Sequence, residues 1–369
     1  MKNTVARKIE RQISYTMKNK PLGFAIIGTG SIAGVHAGVL SAMDGVRLVG
    51  VFNRTHKRAI SFAGQFQCKA YADLSDLLAE ESLDAVCICS ASGAHLEHAL
   101  ACIEAGKHCL IEKPLEVTPE RCIRLLEAAD RRGVKIGTVF HSRFYEASQL
   151  LRRAVAAGRF GQPVLGSAYV KWSRDVAYYT SADWRGTWAY DGGGVLMNQG
   201  IHAVDLLQWY MGPVSAVQAK VANRRHTAIE VEDTIVVNVI FESGALGSIE
   251  CTTAAFPGSS KRIEVVGTLG TAVLEEDRLT AWQFAEEAAE DEAIRQAFSA
   301  MRTPGGADNP MNITHTGHQL QIADFADAIR TDRSPLIDGR EGSKSVAIIH
   351  AIYESARTGE TVYLEKNDT

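Results

Sequence analysis

The stretch LGFAIIGTGSIA, residues Leu22–Ala33, decides the fold. A short apolar run ends directly in Gly28-Thr29-Gly30-Ser31-Ile32-Ala33, a G-x-G-x-x-A loop that opens an amphipathic segment. Glycines there let a backbone turn tightly and approach a pyrophosphate, and a helix N-terminus offers unpaired N–H groups and partial positive charge to the anion. The loop is a weak signal alone and a strong one between a strand and a helix. Outward from it, near-continuous apolar runs (LGFAIIG, VRLVGVF, DAVCICS, HCLIEK, VKIGTVF) alternate with helix-like stretches at Ser31–Met43, Thr55–Phe66, Ala94–Ala105 and Thr118–Arg131. Strands apolar on both faces, joined by helices, predict a parallel, doubly wound α/β sheet over residues 21–141.

Beyond a helical stretch at Glu146–Ala157 the pattern changes. Longer, alternating strands follow: PVLGSAYVKW, VSAVQAKVAN, DTIVVNVIFE, GALGSIECTTA, KRIEVVG and GTAVLEE. Turns such as FESGALG and VGTLGTAV read as hairpins, so residues 142–369 predict an α/β domain with a large, open, mostly antiparallel sheet. Amphipathic helices at Leu320–Arg330 and Gly342–Arg357 close the chain, with packing back on the first domain as one expectation. The acidic run EEAAEDEA from Glu286 reads as a solvated helix face. PGGADNP from Pro304 reads as a loop. Residues 1–20 form a basic extension without a signal peptide's apolar core, and Met17 is an alternative start.

The bulk chemistry excludes several classes. A chain of 369 residues is long enough for two cores. Its formal charge of −4 argues against a nucleic-acid surface. No apolar run approaches the roughly 20 residues of a membrane span. Seven cysteines without C-x-x-C spacing read as small buried hydrophobes in a reducing, cytoplasmic compartment. No metal site is expected: no two histidines share helical H-x-x-x-H spacing, and hydride transfer to nicotinamide needs no metal.

The second strand ends in Asn53 and Arg54, followed by Thr55, His56, Lys57 and Arg58, where NAD enzymes commonly carry an acid for the adenine ribose. Arg54 would suit a 2′-phosphate, so the cofactor expectation is NAD(P), leaning to NADP.

Three segments in order carry a resemblance: the G-x-G-x-x-A loop, Glu112-Lys113-Pro114, and Gly192-Gly193-Gly194 followed by Asn198, Gly200, His202 and Asp205. With the closing DFADAIRTDRSPLIDGREG, the chain resembles the glucose-fructose oxidoreductase/inositol dehydrogenase (Gfo/Idh/MocA) family from about Leu22 to Leu364. The resemblance implies a nicotinamide-dependent oxidoreductase of pyranose or cyclitol hydroxyls. It also implies a homo-oligomer, dimer or tetramer, built through the outer sheet face.

Lys113 lies beyond a strand's carboxyl end, where doubly wound sheets bind ligands, and can stabilise alkoxide character. His202 suits general acid/base work near neutral pH. Asn198, His202 and Asp205, at spacings of four and three, share one face of a helix starting near Gly194–Val195. Asp205 orients the imidazole or caps local backbone, two readings that stay open. The resemblance places Glu112 on the nicotinamide ribose and Pro114 at a turn that a cis bond would suit. It puts Ser90 and His95 beside the cofactor, although Ala91 stands where the family usually has proline. Arg143, Trp184 and Arg185, and more softly Tyr145, Trp172 and His315, are candidates for the sugar pocket. Asn198 stands where many relatives have aspartate, and an amide carries no proton at neutral pH. N-Q-G-I-H resembles a subgroup that includes enzymes oxidising nucleotide-linked N-acetylated sugars. Two other readings remain: a glycosidase or epimerase-type enzyme that retains its NAD, and a non-enzymatic dinucleotide-binding regulator.

Overall fold

The computed structural model describes residues 21–299 and 315–364; the expectations for residues 1–20 and for PGGADNP fall outside them. Contacts divide the chain into two compact units. The first holds Met1–Glu116, Glu120–His141 and His315–Gly342; the second holds Val117–Pro119, Ser142–Thr314 and Ser343–Thr369.

In the first unit six strands, β1 (Leu22–Ile27), β2 (Val46–Phe52), β3 (Lys69–Tyr71), β4 (Ala85–Ile88), β5 (His108–Ile111) and β6 (Ile136–Thr138), form one sheet in the order β3-β2-β1-β4-β5-β6. Every pairing is parallel. The order reverses beside β1, the switch point at which open α/β sheets bind ligands. Helices α1 (Ser31–Ala42), α2 (His56–Phe66), α3 (Leu74–Leu78), α4 (His95–Glu104) and α5 (Pro119–Arg132) connect the strands. β4 is buried at all four positions and β1 at five of six, which is why these strands read as unbroken apolar runs.

In the second unit helices α6 (Glu146–Ala156), α7 (Val176–Thr180) and α8 (Ile201–Met211) accompany an eight-stranded sheet. Its strands are β7 (Pro163–Lys171), β8 (Val214–Ala222), β9 (Thr234–Phe241), β10 (Leu246–Thr252), β11 (Arg262–Gly267), β12 (Gly270–Glu275), β13 (Arg278–Phe284) and β14 (Val362–Tyr363), in the order β13-β12-β11-β7-β10-β9-β8-β14. Only the central β7–β10 pair is parallel. β9 alternates buried and exposed residues along Ile235–Phe241, as a sheet with one covered face requires. Helix α9 (Asp291–Ser299) follows β13. Helix α10 (Thr316–Arg330) belongs to the first unit, and α11 (Gly339–Thr358) begins in the first and continues in the second.

Three local expectations change. The acidic run is not one helix face: Glu286–Glu290 form the turn into α9, and Asp291 is buried, bound by Arg159 at 2.7 and 2.8 Å and by the Trp282 indole at 2.7 Å. RLTAWQF adds β13, a strand that its lone position after the EED turn obscured. The segment expected as a regular helix from Gly194–Val195 opens with a π-helical turn, Leu196–Gly200, before α8. The cysteines are free thiols, six of them buried. Among the described residues no helix is long and apolar enough to cross a membrane.

Candidate active site

In the first unit, the loop after β1 is built to approach an anion. Gly28 has φ +101°, and a Cβ there would lie 2.4 Å from the Cys89 carbonyl oxygen. Gly30 is the N-cap of α1; no side chain caps the helix, and a Cβ on it would meet nothing within 4 Å. At this end of α1 Ser31 is exposed, Thr29 and Ile32 are half-buried, and Ala33 is buried. These residues fit a dinucleotide pyrophosphate. Asn53 at the end of β2 donates to the Thr29 hydroxyl at 2.8 Å and accepts the Thr55 N–H at 2.8 Å, tying the loop to the second strand. Arg54 beside it is exposed.

Glu112 continues β5, its N–H bonded to the Ile88 carbonyl. Lys113 follows, half-buried, and the Lys113–Pro114 peptide is cis. Ser90 and His95 sit below this edge. His95 is buried, with Nδ1 2.9 Å from the Pro114 carbonyl and Nε2 3.3 Å from that of Ser90, so it braces the loops. Burial lowers its pKa. The Ser90 hydroxyl meets His98 at 3.0 Å.

The same unit assembles a cluster that spacing did not foretell. His36 from α1 places Nε2 2.8 Å from Glu112 Oε1, and His318 from α10 meets the His36 ring edge-on at 5.8 Å. His36, Glu112 and His318 are the one group of three among the described residues with ligand atoms close enough to hold a metal. Their numbers lie 76 and 206 apart, so only the fold unites them. In sequence the sole trace is a polar residue, His36, on the apolar face of α1.

In the second unit, His202 is half-buried near the start of α8. Asp205, one turn on, is bound by Arg143 through Nε at 2.9 Å and Nη2 at 2.6 Å, with both residues buried. Arg143 also lies 5.0 Å from the Trp209 ring centre. The π-turn carries Asn198, whose amide donates to Asp191 Oδ1 at 2.6 Å and whose carbonyl accepts from Tyr178 and Gln199 at 3.3 and 3.2 Å. Arg185 donates to the Tyr178 hydroxyl at 2.7 Å and stacks on Trp184 and Tyr178 at 4.6 and 4.3 Å. Trp184 and Arg185 are thus joined to Asn198 through Tyr178, a residue that the sequence reading passed over. Among the softer candidates, Trp172 stacks on Arg174, Tyr145 caps α6, and His315 is exposed ahead of α10. π-turns within helices gather at functional sites.

Glu232 was also missed. It is buried, and it accepts the N–H groups of Gly194 and Leu196 at 2.9 and 3.0 Å and the Tyr353 hydroxyl at 3.0 Å. Burial raises its pKa from 4.5 to about 7 against the pull of those donors. A Cβ on Gly194 would lie 1.8 Å from the Glu232 carbonyl oxygen, which explains a glycine at that position.

Comparisons with known proteins agree with this architecture. Residues 22–140 match the model of the oxidoreductase family with an NAD-binding Rossmann fold, and residues 148–273 match the GFO/IDH/MocA C-terminal domain. The WlbA dehydrogenase from Bordetella pertussis, solved in complex with NADH and UDP-GlcNAcA, is 33% identical, with a TM-score of 0.86 over 95% of this chain and 99% of that one. The WlbA dehydrogenase from Chromobacterium violaceum, solved with the same two ligands, is 34% identical, with a TM-score of 0.84 over 95% and 98%. Myo-inositol 2-dehydrogenase from Thermotoga maritima is 27% identical over 92% of this chain and 98% of its own length. The fold and site define a nicotinamide-dependent oxidoreductase acting on CH–OH groups. The chain belongs to the Gfo/Idh/MocA family.

Proposed function

We propose that this protein oxidises a pyranose hydroxyl, or reduces the corresponding ketone, and that its substrate is a nucleotide-linked N-acetylated sugar of the UDP-GlcNAcA kind. The observation that carries the dehydrogenase reading is the N-terminus of α1 behind Gly28 and Gly30, which no side chain caps and where a Cβ on Gly30 would meet nothing within 4 Å. The substrate class is supported by the chain-long likeness to two WlbA dehydrogenases solved with that ligand, and by the N-Q-G-I-H segment at Asn198–His202.

Oxidising an alcohol removes hydride from carbon and a proton from oxygen, and a bound nicotinamide supplies the hydride acceptor. In this reading Lys113 hydrogen-bonds the reacting hydroxyl and steadies its alkoxide character, while His202 takes the proton. Asn198 carries no proton, and its bonds to Asp191, Tyr178 and Gln199 make it a positioning residue. Arg143 and Asp205, expected at the sugar, serve in this reading to brace α8 through each other. Arg185 and Trp184 remain the sugar-facing candidates. Glu112, Ser90 and His95 shape the cofactor side.

For the cofactor, the argument for NADP rests on exposed Arg54, whereas both WlbA structures carry NADH. We read NAD as the working cofactor. The oligomer reading is supported by the uncovered face of the second sheet, where Leu165, Leu246 and Ile240 form a row across β7, β10 and β9, exposed by 41, 57 and 40%.

The test follows absorbance at 340 nm with NAD or NADP and UDP-linked sugars, free sugars and cyclitols. Turnover with a UDP-linked N-acetylated sugar acid, reduced about 10²–10⁴-fold in Lys113→Ala and in His202→Ala, is the expected result. Turnover confined to free sugars or cyclitols rejects the substrate class. Tight dinucleotide binding with no released reduced cofactor rejects the dehydrogenase and favours internal NAD recycling.

A further inference from the structure

Lys261 stands just ahead of β11 in the second unit. Its N–H donates to Glu276 Oε1 at 2.7 Å, and its carbonyl accepts the Glu276 N–H at 2.9 Å. Side chains two apart on an extended chain share a face, and Ile263 and Val265 of β11 are buried. Lys261 therefore points to the covered face of the second sheet, the side on which α8 lies against β7 and β11. It is 6% exposed and is the one buried lysine among the described residues. An ammonium carries three donors. Among the described residues Lys261 Nζ makes one polar contact, to the Ser142 hydroxyl at 3.3 Å, and no carboxylate lies within ion-pair distance of it. Ser142 is itself 2% exposed. The next residue, Arg143, binds Asp205 through its guanidinium, one turn beyond His202.

Lysine is almost never buried without a partner, because an ammonium taken out of water costs free energy that a counter-charge must offset. Arg143 has its counter-charge in Asp205, whereas Lys261 meets only a neutral hydroxyl. We propose that Lys261 binds the carboxylate of a pyranose acid, with Ser142 as the second donor, and so makes this protein prefer an acidic sugar to its neutral counterpart. The chemistry of the pair suits that group. A carboxylate has acceptors only, and its two oxygens match the ammonium and the hydroxyl, which can accept from Lys261 and still donate its own proton. One ammonium balances one negative charge, which favours a carboxylate over the two charges of a diphosphate. The inference rests on the proposed reading that the substrate is a UDP-linked sugar acid, and it adds the residue that recognises the acid.

The test compares wild type with Lys261→Met by titration calorimetry against UDP-GlcNAcA, UDP-GlcNAc and UDP, with NADH present throughout. Methionine keeps most of the apolar stem and removes the charge. With no ion pair of the chain broken, the variant should melt at or above wild type in the absence of ligand. Its dissociation constant for UDP-GlcNAcA should rise about 10–100-fold, the scale of a hydrogen bond to a charged group, while those for UDP-GlcNAc and UDP change less than about 3-fold. Equal weakening of all three ligands assigns the ammonium to the diphosphate and overturns the proposal. Unchanged affinities overturn it as well and leave Lys261 a structural residue. If Lys261→Met does not fold, Ser142→Ala decides: a loss confined to UDP-GlcNAcA supports the proposal, and the absence of a selective loss overturns it. Wild-type protein that binds no UDP-linked sugar defeats the substrate reading itself, a result distinct from unchanged affinities in a variant whose wild type binds them.

Discussion

Replacing Arg143 with methionine removes two charge-assisted bonds from Asp205, one turn beyond His202. The guanidinium makes two charge-assisted bonds, 2.9 and 2.6 Å long, between side chains exposed by only 4 and 1%. Breaking a buried pair by removing one member costs about 3–5 kcal/mol, because the survivor keeps its desolvation penalty without its attraction. Methionine retains much of the packing against Trp209, so the cost is chiefly electrostatic. At about 2–4 °C per kcal/mol for a unit of this size, Arg143→Met should melt roughly 10 °C below wild type. Replacing both members, Arg143→Met with Asp205→Leu, leaves no stranded charge and should recover most of that loss. The assay is a thermal-melt double-mutant cycle at pH 7.5, with KM measured for any variant that turns over. A single-variant loss below about 1 kcal/mol, or strictly additive losses, would refute the argument. A double variant that melts like wild type yet no longer binds substrate would return Arg143 and Asp205 to the sugar.

Glu232→Gln tests the buried carboxyl under the π-turn. A folded pKa raised from 4.5 to about 7 gives stability that is complete below pH 4.5 and lost as pH rises through 7, about 3 kcal/mol in all. Glutamine does not titrate, so wild type should lose ground to the variant by that amount between pH 4.5 and 8 in urea unfolding. Parallel pH profiles would show instead that the Gly194, Leu196 and Tyr353 donors keep the carboxylate charged throughout. Leu246→Glu places a charge in the row Leu165–Leu246–Ile240, and light scattering on a sizing column should report a smaller assembly with an unchanged fold. An unchanged mass would move the subunit contact elsewhere.

The sheets were legible because their signals are local. β1, β4 and β5 are apolar on both faces and β9 on one, and each pattern follows directly from which faces are covered. The G-x-G-x-x-A loop was equally plain, since backbone geometry at Gly28 and the uncapped start of α1 depend on consecutive residues. The π-turn was not legible: its apolar residues fit an ordinary helix, and the extra residue per turn leaves no mark in hydrophobic spacing. The acidic run misled because net composition conceals a single inward carboxylate, Asp291, that needs Arg159 from 132 positions away.

The same distinction separates the reactive groups from what governs them. Lys113 and His202 stand out in sequence because their neighbours form motifs. Glu112 and Asp205 share those motifs, but what each buried acid meets does not show in sequence, because its partner is remote in the chain: His36 for Glu112, Arg143 for Asp205, and Tyr353 for Glu232. A carboxylate in a nonpolar interior is costly unless paired, so its partner decides whether it is charged and where it points. The two outcomes on the page differ accordingly. Glu112 meets the His36 imidazole, whose hydrogen bond holds it below the ordinary carboxylate range against burial, whereas Glu232 meets backbone N–H groups and a tyrosine hydroxyl and is raised by burial. The two buried glutamates therefore respond to pH in opposite senses. The stability tied to Glu112 is lost as pH falls through its lowered pKa, and the stability tied to Glu232 is lost as pH rises through 7.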